Sequence, residues 1–136
     1  MRLQILTLLL ALAAPLGAET WELQVPRIPM DDASPTDPLA YRPLERASQP
    51  WHLCILYPHL KDAYWLSVNH GMAEEAARLG VGFTLYEAGG YPNLARQIEQ
   101  AEACAASGAD ALIVGTVSYD GLTPVLRRIS GRIPVI

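Results

Sequence analysis

Cys54-Ile55-Leu56-Tyr57-Pro58, an apolar run closed by proline, stands directly before His59-Leu60-Lys61-Asp62-Ala63-Tyr64-Trp65, a loop loaded with aromatics and one carboxylate. Electron-rich ring faces attract cations, at roughly 0.5–2 kcal/mol per ring depending on how much water is excluded. Rings and a carboxylate gathered in one loop therefore suit a small, methylated cation. The competing explanation is packing at the start of a helix, where aromatics also serve. Two later segments offer similar groups: Glu87 with Gly89-Gly90-Tyr91, and Thr116 with Ser118, Tyr119 and Asp120.

Other chemistries are poorly supplied. The glycine-rich phosphate cradles of dinucleotide and nucleoside-triphosphate sites are missing, and the first loop carries proline and aromatics where such folds need glycine, so no nucleotide cofactor is expected. Ser67, Ser118 and Ser130 lack a nucleophile-elbow context, and no paired-carboxylate or HExxH arrangement occurs, so no catalytic machinery is expected either. His52, His59 and His70 form no i, i+4 ligand pair, and the separation of Cys54 from Cys104 excludes a local CxxC motif. An even cysteine count permits a disulfide in an exported chain, but spacing leaves two buried thiols equally open. Lys61 beside Asp62 reads as a solvated pair, and His70 as decoration on a helix surface.

The elements that must carry these loops follow from apolar periodicity and its punctuation. Leu53 to Tyr57 reads as a buried strand ended by Pro58, and Tyr64 to Leu79 as a helix stopped by Gly80. Val81 to Tyr86 is a second strand. Asn93 is a candidate cap for a helix from Leu94 to Ala106, with Gly108 beyond it as a terminator. Asp110 to Thr116, with the apolar run Ala111 to Val114, reads as a third buried strand, Leu122 to Ile129 suits a third helix, and Ile133 to Ile136 begins a fourth strand. Such alternation predicts an α/β fold with a doubly wound parallel sheet. If the first strand sits between the second and third, as in flavodoxin-like winding, all three loops converge at the carboxyl ends of the strands, where open α/β sheets bind ligands.

Upstream, residues 1–18 read as a secretory signal peptide: Arg2, an apolar core from Ile5 to Ala14, then Pro15-Leu16-Gly17-Ala18. The core is shorter than the roughly twenty residues of a comfortable span. Leu16 is less than ideal near the cleavage site, which keeps an uncleaved anchor as the alternative. Residues 19–50 are rich in proline and acidic residues and read as an extended arm, with Trp21, Leu23 and Val25 alternating in the pattern of a short edge strand. Residues 51–136 hold the α/β pattern. A net charge of −4, with ten scattered basic residues of which only Arg127, Arg128 and Arg132 cluster, argues against nucleic acid as a partner.

The runs LYPHLKDAYWLSVNHGM (56–72), EAGGY (87–91) and IPVI (133–136) resemble the amino-terminal lobe of type 1 periplasmic binding proteins, and more narrowly the trimethylamine N-oxide sensors among them. The resemblance implies a non-enzymatic periplasmic receptor that closes two lobes around trimethylamine N-oxide. It would signal to a sensor histidine kinase in the inner membrane, in two-component control of anaerobic respiration. Carried over residue by residue, the ligand-binding set is Asp62, Tyr64, Trp65 and Tyr91. Asp62 would supply an electrostatic or hydrogen-bonding contact, the rings would enclose the methyl groups, and the hydroxyl of Tyr64 or of Tyr91 would meet the oxygen. The family winding also passes the second helix over the first strand, which makes a Cys54–Cys104 disulfide geometrically plausible.

With Pro134-Val135-Ile136 as its close, the sequence reads as a truncated half of such a lobe, and a half-lobe alone is expected to bind weakly or not at all. A periplasmic sugar or autoinducer binder feeding a transporter or receptor is the alternative, and an inactive incomplete product is a third. Few planar polar partners accompany the aromatics of the first two loops, which favours the methylated amine over a sugar.

Overall fold

The computed structural model describes residues 20–27 and 33–136, which form two separate compact units divided after Leu44. The apolar stretch read as a secretory signal lies outside the described residues. Among those described, no helix is long and apolar enough to cross a membrane.

The first unit corrects the expectation of an extended arm. Strand β1 (Trp21–Pro26) pairs antiparallel with β2 (Thr36–Tyr41), setting Trp21 opposite Tyr41 and Leu23 opposite Leu39. The Trp21 and Tyr41 rings lie 5.9 Å apart, and Arg27 Nη2 meets Asp37 Oδ1 at 2.8 Å just beyond the other end. Pro26 and Pro38, which argue against a strand in sequence, are tolerated because every strand in a two-stranded ribbon is an edge and has N–H positions that need no partner. The cross-strand aliphatic and aromatic pairs supply what holds it.

The second unit is the α/β body. Strand β3 (His52–Tyr57) lies at the centre of a parallel sheet of order β4-β3-β5, with β4 at Gly82–Glu87 and β5 at Ala111–Val114. Residues 54 to 57 are all buried, as a strand covered on both faces requires. Alternation sends Cys54 and Leu56 to one face, where they join Ala101 and Cys104 of helix α2 (Leu94–Ala106) and Val125 and Ile129 of helix α3 (Thr123–Ser130) in the core. Leu53 and Ile55 face the other way, towards Met72, Ala76 and Leu79 of helix α1 (Ala63–Leu79). Helices thus cover both faces of a doubly wound sheet in the order the sequence pattern predicts.

Cys54 and Cys104 are joined as a disulfide with Cα atoms 5.8 Å apart, clamping the central strand to α2 inside the core. Preceding β3, the body reaches back to Glu45: Ala47 N–H donates to Leu79 O at 3.1 Å, and Arg78 Nη1 to Glu45 O at 3.4 Å.

Two local expectations are corrected. Asn93 occupies the position before α2 but makes no capping bond; its Nδ2 donates to Ala88 O at 2.9 Å, bracing the preceding turn instead. Ile133–Ile136 is reduced to one bridge, Val135 opposite Leu112, held by Leu112 N–H to Pro134 O and Ile136 N–H to Leu112 O, each at 2.9 Å, and by Val114 N–H to Ile136 O at 2.8 Å. That pairing is parallel and falls on β5, the side a fourth strand would take.

Candidate aromatic binding site

The carboxyl ends of β3 and β4 lie side by side, with Tyr57 paired to Glu87, so the loops that follow them are neighbours by register. They are sewn together by backbone: Ala88 N–H donates to Tyr57 O at 3.0 Å and Gly90 N–H to Pro58 O at 2.8 Å. Lys61 Nζ adds a bond to Gly89 O at 2.7 Å, so this lysine bridges two loops and is not the solvated partner of Asp62 that adjacency suggests. Gly89 (φ +86°) and Gly90 (φ +143°) take backbone conformations closed to most side chains, and the turn they make presents Tyr91 beside the first loop.

Asp62 begins α1. Its Oδ1 accepts from Trp65 N–H at 2.9 Å, the N-cap bond, while Oδ2 stands 3.8 Å from His59 Nε2. The cap fixes the first turn and with it the positions of Tyr64 and Trp65. Asp62→Ala is expected to cost about 1 kcal/mol of stability in a thermal melt, whereas Asp62→Asn, an equally good cap, is expected to be near neutral. Ligand titration of the Asn variant then isolates the charge, because the helix start is preserved.

Four aromatic side chains surround Trp65 or adjoin its partner. The Tyr57 ring, buried beneath it, lies 5.0 Å away and tilted 36°; Tyr64 approaches edge-on at 5.1 Å; the indole Nε1 donates to Tyr91 Oη at 3.1 Å. His59 meets Tyr91 edge-on at 5.3 Å. Tyr64 and Tyr91 remain 66% and 52% exposed, so the arrangement is an open aromatic shelf and not an enclosed cavity. Burial pushes the Tyr57 hydroxyl above the usual tyrosine range, which keeps it protonated, and it has no hydrogen-bond partner among the described residues. Because Tyr91 Oη accepts from the indole, its own proton is free to point at a further acceptor, and polarisation along the pair strengthens that donor.

Asp62, Tyr64, Trp65 and Tyr91 are therefore brought together. The third loop contributes differently from what its residue types suggest. Thr116 and Ser118 bond to each other, Ser118 Oγ accepts from Gly121 N–H at 3.0 Å, and Tyr119 stands fully in solvent. Glu87 is likewise spent locally, accepting from Gly89 N–H at 3.1 Å. What the third loop brings is Gly115, against which the Trp65 ring lies, and Val117, tied to the buried Gln97. Neither Gly115 nor Gln97 stood out in sequence, since nothing local marks a glycine whose neighbour is fifty residues away. His70 pairs with Glu74 at 3.4 Å on the outer surface of α1. Among the described residues no group of three potential metal ligands converges. Two cavities of about 270 and 190 Å³ lie elsewhere, at the amino end of the sheet beside Trp51 and Pro134, and under α1 beside Phe83 and Ile113.

A doubly wound parallel body with aromatic side chains at its strand ends is an architecture that many α/β proteins share, and comparison with known proteins gives the family. Residues 50–136 match the model of the periplasmic binding proteins and sugar-binding domain of the LacI family, and the chain belongs to that family. Among curated proteins it is 46% identical over 93 residues to periplasmic protein TorT of Escherichia coli K12, covering 67% of this chain and 26% of the relative. The chain thus spans about a quarter of the length of the curated relatives it matches. Among solved structures it is similar to an ABC transporter solute-binding protein of Bradyrhizobium sp. BTAi1 with bound Bis-Tris, at 48% identity and a TM-score of 0.76 over 85% of this chain and 35% of that one. It is also similar to TorT in complexes with the TorS sensor domain, solved without ligand and with trimethylamine N-oxide, at 48% identity and a TM-score of 0.59 over 62% of this chain and 29% of that one.

Proposed function

We propose that this chain supplies half of the ligand site of a periplasmic, non-enzymatic receptor for trimethylamine N-oxide, one that reports to a TorS-like sensor histidine kinase. The observation that carries the reading is the Trp65 Nε1 to Tyr91 Oη bond, which makes two aromatic loops into a single surface. Trimethylamine N-oxide is a zwitterion: its methyl groups spread a positive charge suited to ring faces, and its oxygen is a strong acceptor. Of the two tyrosines that could meet the oxygen, Tyr91 is the better placed, because accepting from the indole leaves its hydroxyl proton directed outward. Asp62, half-exposed at the helix start, adds negative charge beside the cation. The TorT complexes with the TorS sensor domain support the partner and the ligand class.

The test is a chimera in which residues 45–136 replace the corresponding segment of Escherichia coli TorT, titrated by calorimetry. Tyr91→Phe is expected to weaken trimethylamine N-oxide by roughly fivefold, the worth of about 1 kcal/mol for one hydrogen bond. Binding of tetramethylammonium, which has no oxygen, is expected to weaken less, because it loses only the Trp65 tether and no hydrogen bond of its own. Equal losses for both ligands would remove Tyr91 as the oxygen donor, and a chimera that binds neither would reject the reading.

A second reading, delivery of a solute to an ABC transporter, is favoured by the Bradyrhizobium relative with Bis-Tris, a tertiary amine bearing hydroxyl groups. Sugar or polyol binding by the chimera without amine-oxide binding would select it.

A further inference from the structure

Gly115, the first residue after β5, has no torsional need to be glycine: among the described residues the positive-φ glycines are Gly80, Gly89, Gly90 and Gly108. Space is what excludes a side chain. A Cβ at this position would stand 2.4 Å from Trp65 Cη2 and 2.7 Å from Cζ3, far inside van der Waals contact. The backbone beneath the ring is held on every side. Gly115 N–H donates to Leu56 O at 2.8 Å, and its carbonyl accepts from Gln97 Nε2 at 2.9 Å. The other end of the same amide, Gln97 Oε1, accepts from Val117 N–H at 2.8 Å. Gln97 is completely buried, so its amide has spent burial to make two bonds that straddle Thr116.

We infer that Gln97 and Gly115 are positioning residues for Trp65. Gln97 locks the strand-end backbone, and Gly115 is the bare floor that lets the indole descend onto the sheet, contact Tyr57 and reach Tyr91. Two residues from α2 and the β5 end thereby set the geometry of a site whose exposed groups all belong to the other two loops. Only the ligand-binding consequence rests on the receptor reading; the placement of the indole is readable without ligand.

The experiment uses the full 136-residue chain with Trp21→Phe and Trp51→Phe, which leaves Trp65 as the sole indole of the three. Gly115→Ala is expected to shift Trp65 emission to the red and to raise its quenching by acrylamide, with far-ultraviolet circular dichroism preserved. Gln97→Leu is expected to move the same signals in the same direction. Coupling separates positioning from a general structural role: Gly115→Ala lowers the thermal midpoint when Trp65 is present and leaves it unchanged in a Trp65→Leu background, where the ring it strikes is gone.

Unchanged emission in Gly115→Ala, or equal destabilisation in both backgrounds, overturns the inference. Should Gly115→Ala fail to fold, folding of the Gly115→Ala/Trp65→Leu pair supports it and misfolding of that pair overturns it. In the TorT chimera, Gly115→Ala is expected to weaken trimethylamine N-oxide about tenfold. A displaced indole in a chimera that never binds the N-oxide leaves the positioning inference standing and removes the receptor reading.

Discussion

Replacing Cys54 and Cys104 together by alanine is expected to lower the stability of the α/β body by about 4 kcal/mol, the chain-entropy value for a closed loop of this length. The bridge closes a separation of 50 residues, with Cα atoms 5.8 Å apart, within the ordinary range for that distance. Both half-cystines are buried between β3 and α2. The measurement is urea unfolding of oxidised, reduced and double-alanine protein. Coincident midpoints for oxidised and reduced chains would show that the cross-link contributes nothing and that core packing alone holds α2 to the sheet. A large loss carries to the site, because α2 bears Gln97 and hence the backbone under Trp65.

Trp65→Ala is the second large effect, and it should appear in two measurements at once. Truncating a large aromatic in a core costs about 3–5 kcal/mol, and since Trp65 is only partly buried about 2 kcal/mol is expected here. The loss arises because the alanine leaves Tyr57 and Gly115 uncovered and frees Tyr91 from its tether. In the TorT chimera, removal of a ring worth up to about 2 kcal/mol towards a cation, together with the loss of Tyr91's placement, is expected to weaken trimethylamine N-oxide by more than tenfold. Trp65→Phe keeps a ring face but not the N–H donor, and should fall between the two. Wild-type affinity in Trp65→Ala would separate this residue from ligand binding altogether.

The α/β body was legible because its punctuation is local: Pro58 after an apolar run, Gly80 after an amphipathic one, and short β-rich segments between. Helix α1 starts one residue earlier than periodicity suggests, since the Asp62 cap and not the apolar stripe sets its first turn. The β1–β2 hairpin was obscured by its prolines, which disqualify a central strand but not a ribbon edge. At Asn93 the residue type suited a cap, yet the side chain is turned so that Nδ2 donates to Ala88 O in the preceding turn, and its oxygen makes no capping bond. In the site, the residues collected from strand-end loops stand together because parallel register puts those ends side by side. The supports were not legible. Gly115 meets Trp65 and Gln97 meets Gly115 and Val117 only across the fold, and Lys61 finds a carbonyl in another loop instead of the carboxylate next to it. Tyr119 shows the converse error, a promising residue type on a turn whose own hydrogen bonds leave the ring outside.

The order β4-β3-β5 makes the innermost ribbon of the sheet the earliest one synthesised. As the polypeptide emerges, Cys54-Ile55-Leu56-Tyr57 has no neighbour until β4 arrives, and no second one until β5 follows. Throughout that interval an apolar, β-prone segment waits unpaired, the situation in which nascent chains associate with one another. Cys54 meanwhile cannot form its native bridge, because its counterpart lies 50 residues further along the chain. Shielding of the nascent segment, and oxidation only after position 104 has been made, are thus demands that the winding of this sheet places on its folding.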